Sequence, residues 1–347
     1  MYFASDNSGP VPQEVLDALA EANAGYAMGY GADPLTTEVE HRIRDLFEAP
    51  QAAVYLVATG TAANVLGLAT VTQPWQTIFC GPLAHIHQDE CNAPEFYTGG
   101  AKLTLVGDGD RITAGALRKA IEAEETRGVH GPQRGCLSLT SVTECGTIYD
   151  LPSLQELCGI AKGFGLPVHL DGARFANAVA TLGCSPAEMS WKAGVDVLSF
   201  GGTKNGLMGA EAVVLFDPAR AQEFEYRRKR GGHLFSKHRY LSAQMAAYLR
   251  DDLWLKLARA ANDRAARLVA GLRDRGADFA YEPAANMVFA RFSRAAHERL
   301  RAAGAVYHLW DGAEHGDNPA EVLTARLVCD WSLPEEEIDR FLSVLKG

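Results

Sequence analysis

The segment Asp196-Val-Leu-Ser-Phe-Gly-Gly-Thr-Lys-Asn-Gly-Leu207 carries the reading of the fold. An apolar run stops abruptly at Gly201-Gly202-Thr203, Lys204 follows, and Glu211-Ala-Val-Val-Leu-Phe216 resumes a strand-like composition. A lysine at the mouth of a sheet, on a glycine-rich turn, is well placed to serve as a Schiff-base amine. Desolvation there lowers its pKa and exposes a nucleophilic neutral amine. Taken alone, a solvated loop lysine is the plainer reading, so the rest of the chain decides.

Upstream, short apolar runs alternate with amphipathic segments. The runs 52–58, 77–80, 103–106, 136–141, 167–170, 195–200 and 212–216 are rich in Val, Leu, Ile and Phe without clean polar alternation, as expected for strands buried on both faces. Helices are expected at 60–72, 113–125, 152–164 and 172–182. This order predicts an α/β protein with a mainly parallel seven-stranded sheet. The first fifty residues read as a helical arm, with a cap at Thr36 or Thr37 starting its second helix. Beyond about residue 218 long helices dominate, the clearest at 242–275. Strands near 287–292, 306–309 and 323–329 then suggest a smaller α+β domain. The expected division is residues 1–240, arm plus large domain, and 241–347, small domain.

Composition limits the function. The 347 residues carry a net charge of -10, which disfavours nucleic acid and anionic membrane as partners. The basic run Arg227-Arg-Lys-Arg230 is too short to reverse that. No apolar stretch approaches the roughly 20 residues of a membrane span, and Met1–Asn7 lacks the pattern of a signal peptide. The seven scattered cysteines, without Cys-x-x-Cys spacing, read as reduced core residues of a cytoplasmic protein.

Three motifs surround Lys204. Val57-Ala-Thr-Gly-Thr-Ala-Ala-Asn64 lies where a strand becomes a helix; Gly60 permits close backbone approach and the helix N-terminus offers free N–H groups, an anion site suited to phosphate. It matches neither a nicotinamide fingerprint nor a Walker loop. Asp171, ending the run in Val168-His-Leu-Asp-Gly-Ala-Arg174, needs a cationic partner such as a protonated pyridine nitrogen or Arg174. In Ala84-His-Ile-His-Gln-Asp-Glu90, His85 reads better as a ring stacked on a planar cofactor than as a metal ligand, and no metal is expected. Phosphate loop, strand-end aspartate and post-strand lysine, in that order, match a pyridoxal-phosphate enzyme of the aspartate-aminotransferase fold (fold type I).

The chain resembles the L-threonine aldolase family, especially its low-specificity and phenylserine aldolase branch. The resemblance rests on Ser5-Asp-Asn, Gly60-Thr-Ala-Ala-Asn, His85 with Glu90, Asp171-Gly-Ala-Arg, Gly201-Gly-Thr-Lys and Arg326-Leu-Val, and covers essentially the whole chain. It implies that pyridoxal 5'-phosphate is held by Lys204, with Asp171 on the ring nitrogen, His85 on the ring, and Gly60, Thr61 and Ala62 on the phosphate. Ser5, Arg174 and Arg326 would hold the amino-acid carboxylate or cofactor oxygens, with Arg326 as a bidentate grip. His130 matches a family histidine near the substrate hydroxyl. His85, His130 or a water between them are candidate bases. The implied reaction is retro-aldol cleavage of L-threonine, L-allo-threonine or phenylserine to glycine and an aldehyde; a β-eliminating lyase is the alternative. The resemblance also implies a homo-oligomer, dimer or tetramer, with active sites between subunits. Thr140-Ser-Val-Thr-Glu-Cys-Gly146, and Cys91-Asn92 after Glu90, depart from the common family pattern.

Overall fold

The computed structural model describes residues 1–313 and 316–346. Its large sheet has seven strands: β1 Ala53–Val57, β2 Gln76–Cys80, β3 Lys102–Leu105, β4 Gln133–Thr140, β5 Val168–Gly172, β6 Val197–Phe200 and β7 Glu211–Leu215. Their spatial order is β1-β7-β6-β5-β4-β2-β3. Only β7 runs against its neighbours, pairing antiparallel with both β1 and β6. The central strands are buried on both faces, which is why their sequences show no polar alternation; β5, β6 and β7 are buried throughout. Helix Gly60–Val71 is buried from Ala62 onward, so it too is apolar all round.

The second sheet is antiparallel, ordered β10-β11-β9-β8, with β8 Asp278–Phe279, β9 Met287–Ser293, β10 His308–Leu309 and β11 Val322–Val328. The chain's first residues join it. Tyr2 bridges to Val306, Phe3 donates to Val306 O at 2.8 Å and accepts from Val328 N at 2.9 Å. Phe3 then packs edge-on to Phe341 at 5.0 Å, inside the small sheet's core. The start of the chain therefore crosses from the small sheet to the large one, which matters for the site.

Three expectations need correction. The arm's second helix, Pro34–Leu46, is capped by Asp33, whose carboxylate accepts from Thr36 N, with Pro34 at the first helical position. The long helix expected at 242–275 is two, Arg239–Leu249 and Leu253–Arg273, because Asp251 and Asp252 adopt positive φ angles of 51° and 56° between them. The first of these, which straddles the division at 240/241, packs on the arm helix Gln13–Ala22 and on Pro34–Leu46. Nor are all cysteines in the core: Cys91 is exposed and Cys184 half-buried. Among the described residues no helix is long and apolar enough to cross a membrane.

Candidate active site

Lys204 lies on a single 3-10 turn, Thr203–Asn205, directly after β6. The glycines before it are required by close approach. A Cβ on Gly201 would come within 2.5 Å of Ala173 O, and one on Gly202 within 2.6 Å of Ala210 O. Polar anchors hold the turn on both sides. Gly202 N donates to the buried Glu211 carboxylate at 2.6 Å, and Asn205 Nδ2 donates to Tyr248 Oη and Trp254 O, each at 2.7 Å. Beneath it Phe200 packs against Phe47, Tyr248 and Trp254. A turn anchored in this way presents its lysine with little freedom to wander.

Asp171 occupies the C-terminal end of β5, beside Thr140 of β4, and is 2% exposed. It accepts from Ala173 N at 3.0 Å and from Asn64 Nδ2 at 2.9 Å. Asn64 Nδ2 also donates to Glu90 at 2.9 Å, and the same Glu90 oxygen lies 2.9 Å from His85 Nδ1. A continuous polar chain thus runs from His85 through Glu90 and Asn64 to Asp171. The Glu90 hydrogen bond raises the His85 pKa above its ordinary value, against partial desolvation. Burial raises the Glu90 carboxyl, and Asp171 adds to it, while His85 and Asn64 pull the other way. Asn64 and Glu90 belong to the quoted motifs, but sequence reasoning gave neither a task.

At the N-terminus of helix Gly60–Val71, Thr59 caps the helix by accepting from Ala62 N at 3.1 Å. The Ala62 N–H expected to bind phosphate is therefore engaged by the cap, leaving Gly60 and Thr61 as the free donors of the first turn. A Cβ on Gly60 would meet nothing within 4 Å, so the space before this helix end is open. An open helix N-terminus, a strand-end carboxylate and an anchored lysine form a donor set that fits pyridoxal phosphate: cradle, ring-nitrogen partner and amine.

A cavity of about 660 Å³ adjoins Lys204 and His85. Ser5, Arg174 and Arg326 line it, as expected, together with Glu144, His308 and Trp310, which sequence reasoning did not select. His308 and Arg326 are directly opposed across β10 and β11, which puts their side chains on one face. Arg326 Nη1 donates to Ala4 O at 3.3 Å, and burial, with Arg174 nearby, lowers its pKa. Of the two partners open to Asp171, Arg174 is not the one it takes: Arg174 pairs with Asp6, in a buried fork of 2.7 and 2.9 Å, and Asn286 Nδ2 also donates to Asp6 at 3.0 Å. His130 is exposed, in the short turn Gly128–His130 that leads into β4, at the opposite end of that strand from Thr140 and Asp171. At about 3.3 Å per strand residue, it is far from Lys204 within this chain.

Comparison with known proteins agrees with this geometry. The family model described as beta-eliminating lyase matches residues 2–295. The low specificity L-threonine aldolase of Pseudomonas aeruginosa is 42% identical over 97% of this chain and 94% of its own length. That of another Pseudomonas strain is 38% identical over the same shares. Among solved structures, the threonine aldolase of Leishmania major superposes with a TM-score of 0.92 at 26% identity, covering 99% of this chain and 98% of that one. A serine palmitoyltransferase solved with pyridoxal phosphate has a TM-score of 0.70 at 18% identity, covering 100% and 86%, a likeness of fold alone.

Proposed function

The chain belongs to the beta-eliminating lyase family, on its L-threonine aldolase branch, and on that premise we propose that it cleaves the Cα–Cβ bond of β-hydroxy-α-amino acids to glycine and an aldehyde. The observation that carries the reading is the convergence of Lys204, Asp171 and the open Gly60 helix end on one rim of the sheet, beside a cavity lined by Arg326. Gly60 and Thr61 N–H groups would hold the cofactor phosphate, Asp171 would pair with its ring nitrogen, Lys204 would supply the amine that anchors it, and His85 would lie against the ring. Bound there, pyridoxal phosphate supplies the electron sink that allows a carbon–carbon bond at Cα to break.

The remaining work belongs to the protein. Arg326 takes the substrate carboxylate, which fixes which bond of Cα stands free to cleave. Ser5 adds a hydroxyl to that grip, while Asp6 keeps Arg174 from competing for it. His85, its Nδ1 held by Glu90, lines the cavity and can hold or pass a proton there. His308 and Trp310, from the small sheet, wall the cavity and restrict water. Incubation of the purified holoenzyme with L-threonine, L-allo-threonine and phenylserine should release glycine and the matching aldehyde from at least one. Pyruvate and ammonia in their place would move the chain to β-elimination.

Assembly into a homo-oligomer, dimer or tetramer, with the site at the subunit interface, is part of the same reading. Large apolar side chains stand exposed on two segments: Tyr26, Met28 and Tyr30 on the arm loop, Tyr226 and Phe235 around helix Ala221–Arg230. The two segments adjoin, since Tyr30 N donates to Ser236 O at 2.9 Å. A surface of this kind favours burial against a second copy of the chain. Light scattering should give at least twice the 37.4 kDa chain mass, and Tyr30→Glu with Phe235→Glu should lower it; a monomeric wild type would refute the interface. The seven free cysteines suit a reducing, cytoplasmic setting.

A further inference from the structure

Most carboxylates around the cavity have a fixed partner. Asp6 is taken by Arg174 and Asn286, Glu90 by His85 and Asn64, and Asp171 by Asn64 and the Ala173 amide. Glu144 is different. It lines the cavity with Lys204, is half-buried, and makes no hydrogen bond or ion pair among the described residues. Its charge is nevertheless felt by His85, Arg174 and Arg326, each of whose protonated forms it favours.

The turn bearing Glu144 is held from behind. Thr143 Oγ1 donates to Asp110 at 2.8 Å, Thr147 Oγ1 donates to the same carboxylate, and Cys145 N donates to it at 3.3 Å. Thr143 N donates to Thr147 O at 2.9 Å and Gly146 N to Thr143 O at 3.0 Å, closing the turn. Gly146 has φ +77°, and a Cβ there would come within 2.7 Å of Met287 O. Asp110 thus spends its oxygens on fixing a turn whose one polar side chain facing the cavity is Glu144. Asp89, which also lines the cavity, is exposed at the end of a four-residue helix and has no comparable support. Within this chain His130 lies at the other end of β4, so of the two candidate histidines only the Glu90-bound His85 lines the cavity.

We propose that Glu144 is a catalytic residue that contacts the substrate β-hydroxyl and accepts its proton. The inference rests on the retro-aldol reading above. The hydroxyl O–H bond breaks as a new O–H bond forms on the Glu144 carboxylate. The electron pair left on oxygen becomes the second bond of the aldehyde carbonyl, and the pair of the Cα–Cβ bond departs with Cα. A proton drawn from solvent adds to Cα to complete glycine, and Glu144 returns its own proton to solvent, so none is gained or lost overall. Protons and electrons balance without any added reactant. Asp110 is then a positioning residue.

The test uses holoenzyme and the variants Glu144→Gln, which keeps the shape, and Glu144→Asp, which keeps the charge. Glu144→Gln should lower kcat for β-hydroxy amino acids by about 10²–10⁴-fold, the usual span for a general base, and remove the acidic limb of its pH profile. Glycine binding by calorimetry, cofactor content and solvent exchange of the glycine α-proton, none of which involves a β-hydroxyl, should persist. Glu144→Asp should recover part of the lost rate. Wild-type kcat in Glu144→Gln overturns the proposal. So does a parallel loss of glycine binding and α-proton exchange, which would mark the residue as structural. A wild-type enzyme that releases no glycine from any β-hydroxy amino acid instead defeats the retro-aldol reading itself.

Discussion

Replacing Lys204 by alanine is expected to reduce cleavage by on the order of 10⁴-fold or more, as removal of a member of a cooperating catalytic set does, and to leave the cofactor removable by gel filtration. The fold should survive. Lys204 is half-buried on a turn whose shape is held by other groups: the Gly202 amide on Glu211, the Asn205 amide on Tyr248 and Trp254, and the Phe200 ring below. None of these contacts involves the lysine side chain, so an unchanged melting profile of the cofactor-free proteins should accompany the loss. Cofactor content, read from visible absorbance after buffer exchange, separates this outcome from simple inactivation. A Lys204→Ala protein that retains both cofactor and turnover would remove the lysine from the chemistry and with it the central premise of the site.

The sheet was legible because burial on both faces forces a simple composition. All seven strands expected from uninterrupted apolar runs are present, with ends within a few residues of those expected. Local chemistry was less well read where two signals competed. Thr36 looked like a cap because Glu38 and Glu40 follow it, yet Asp33-Pro34 combines a short acceptor with a residue suited to the first helical position, and that pair prevails. The break at Asp251 and Asp252 carried no warning, since neither is a residue that left-handed backbone requires.

For the site, the legible part was whatever sits at the C-terminal ends of parallel strands. Asp171 at the end of β5, Lys204 after β6 and the Gly60 helix after β1 meet there because the strands are parallel, and chain order alone places them on one rim. His130, which precedes its strand, lies at the other end of the sheet within this chain. Partners far apart in the chain left no local signal. Nothing near Arg174 points to Asp6, nor does anything around His308 point to the cavity, because both placements depend on how the small sheet docks. Glu144 was noticed only as a departure from a family pattern; the Asp110 clamp that gives it meaning is contributed from before β4.

Substituting Asp6 by asparagine is expected to cost about 3–5 kcal/mol of stability, the usual consequence of leaving one member of a buried ion pair uncompensated. The Arg174–Asp6 fork is almost fully buried on both sides, at 3% and 1% side-chain exposure, so solvent cannot take over the guanidinium. The loss is compounded by position. Asp6 also receives Asn286, so one carboxylate ties the start of the chain to the large sheet through Arg174 and to the small sheet through Asn286. Removing it frees Arg174 and leaves its charge uncompensated beside Arg326, so KM should rise as well.

Acid should erase the difference. Burial alone would raise the Asp6 pKa, but the charge and hydrogen bonds of Arg174 outweigh it and hold the carboxyl below its ordinary value. A depressed folded-state pKa contributes stability that is fully present above the unfolded value of about 3.9 and is lost as pH falls through the folded one. The gap between wild type and Asp6→Asn, measured by denaturant unfolding, should therefore be constant near neutrality and shrink only in strong acid. A double variant, Asp6→Asn with Arg174→Met, should recover much of the lost stability, since replacing both members of a buried pair is far cheaper than removing one. It should not recover activity if Arg174 is needed to shape the cavity that Arg326 serves. A single variant as stable as wild type at neutral pH would show that the fork is not what joins the two sheets.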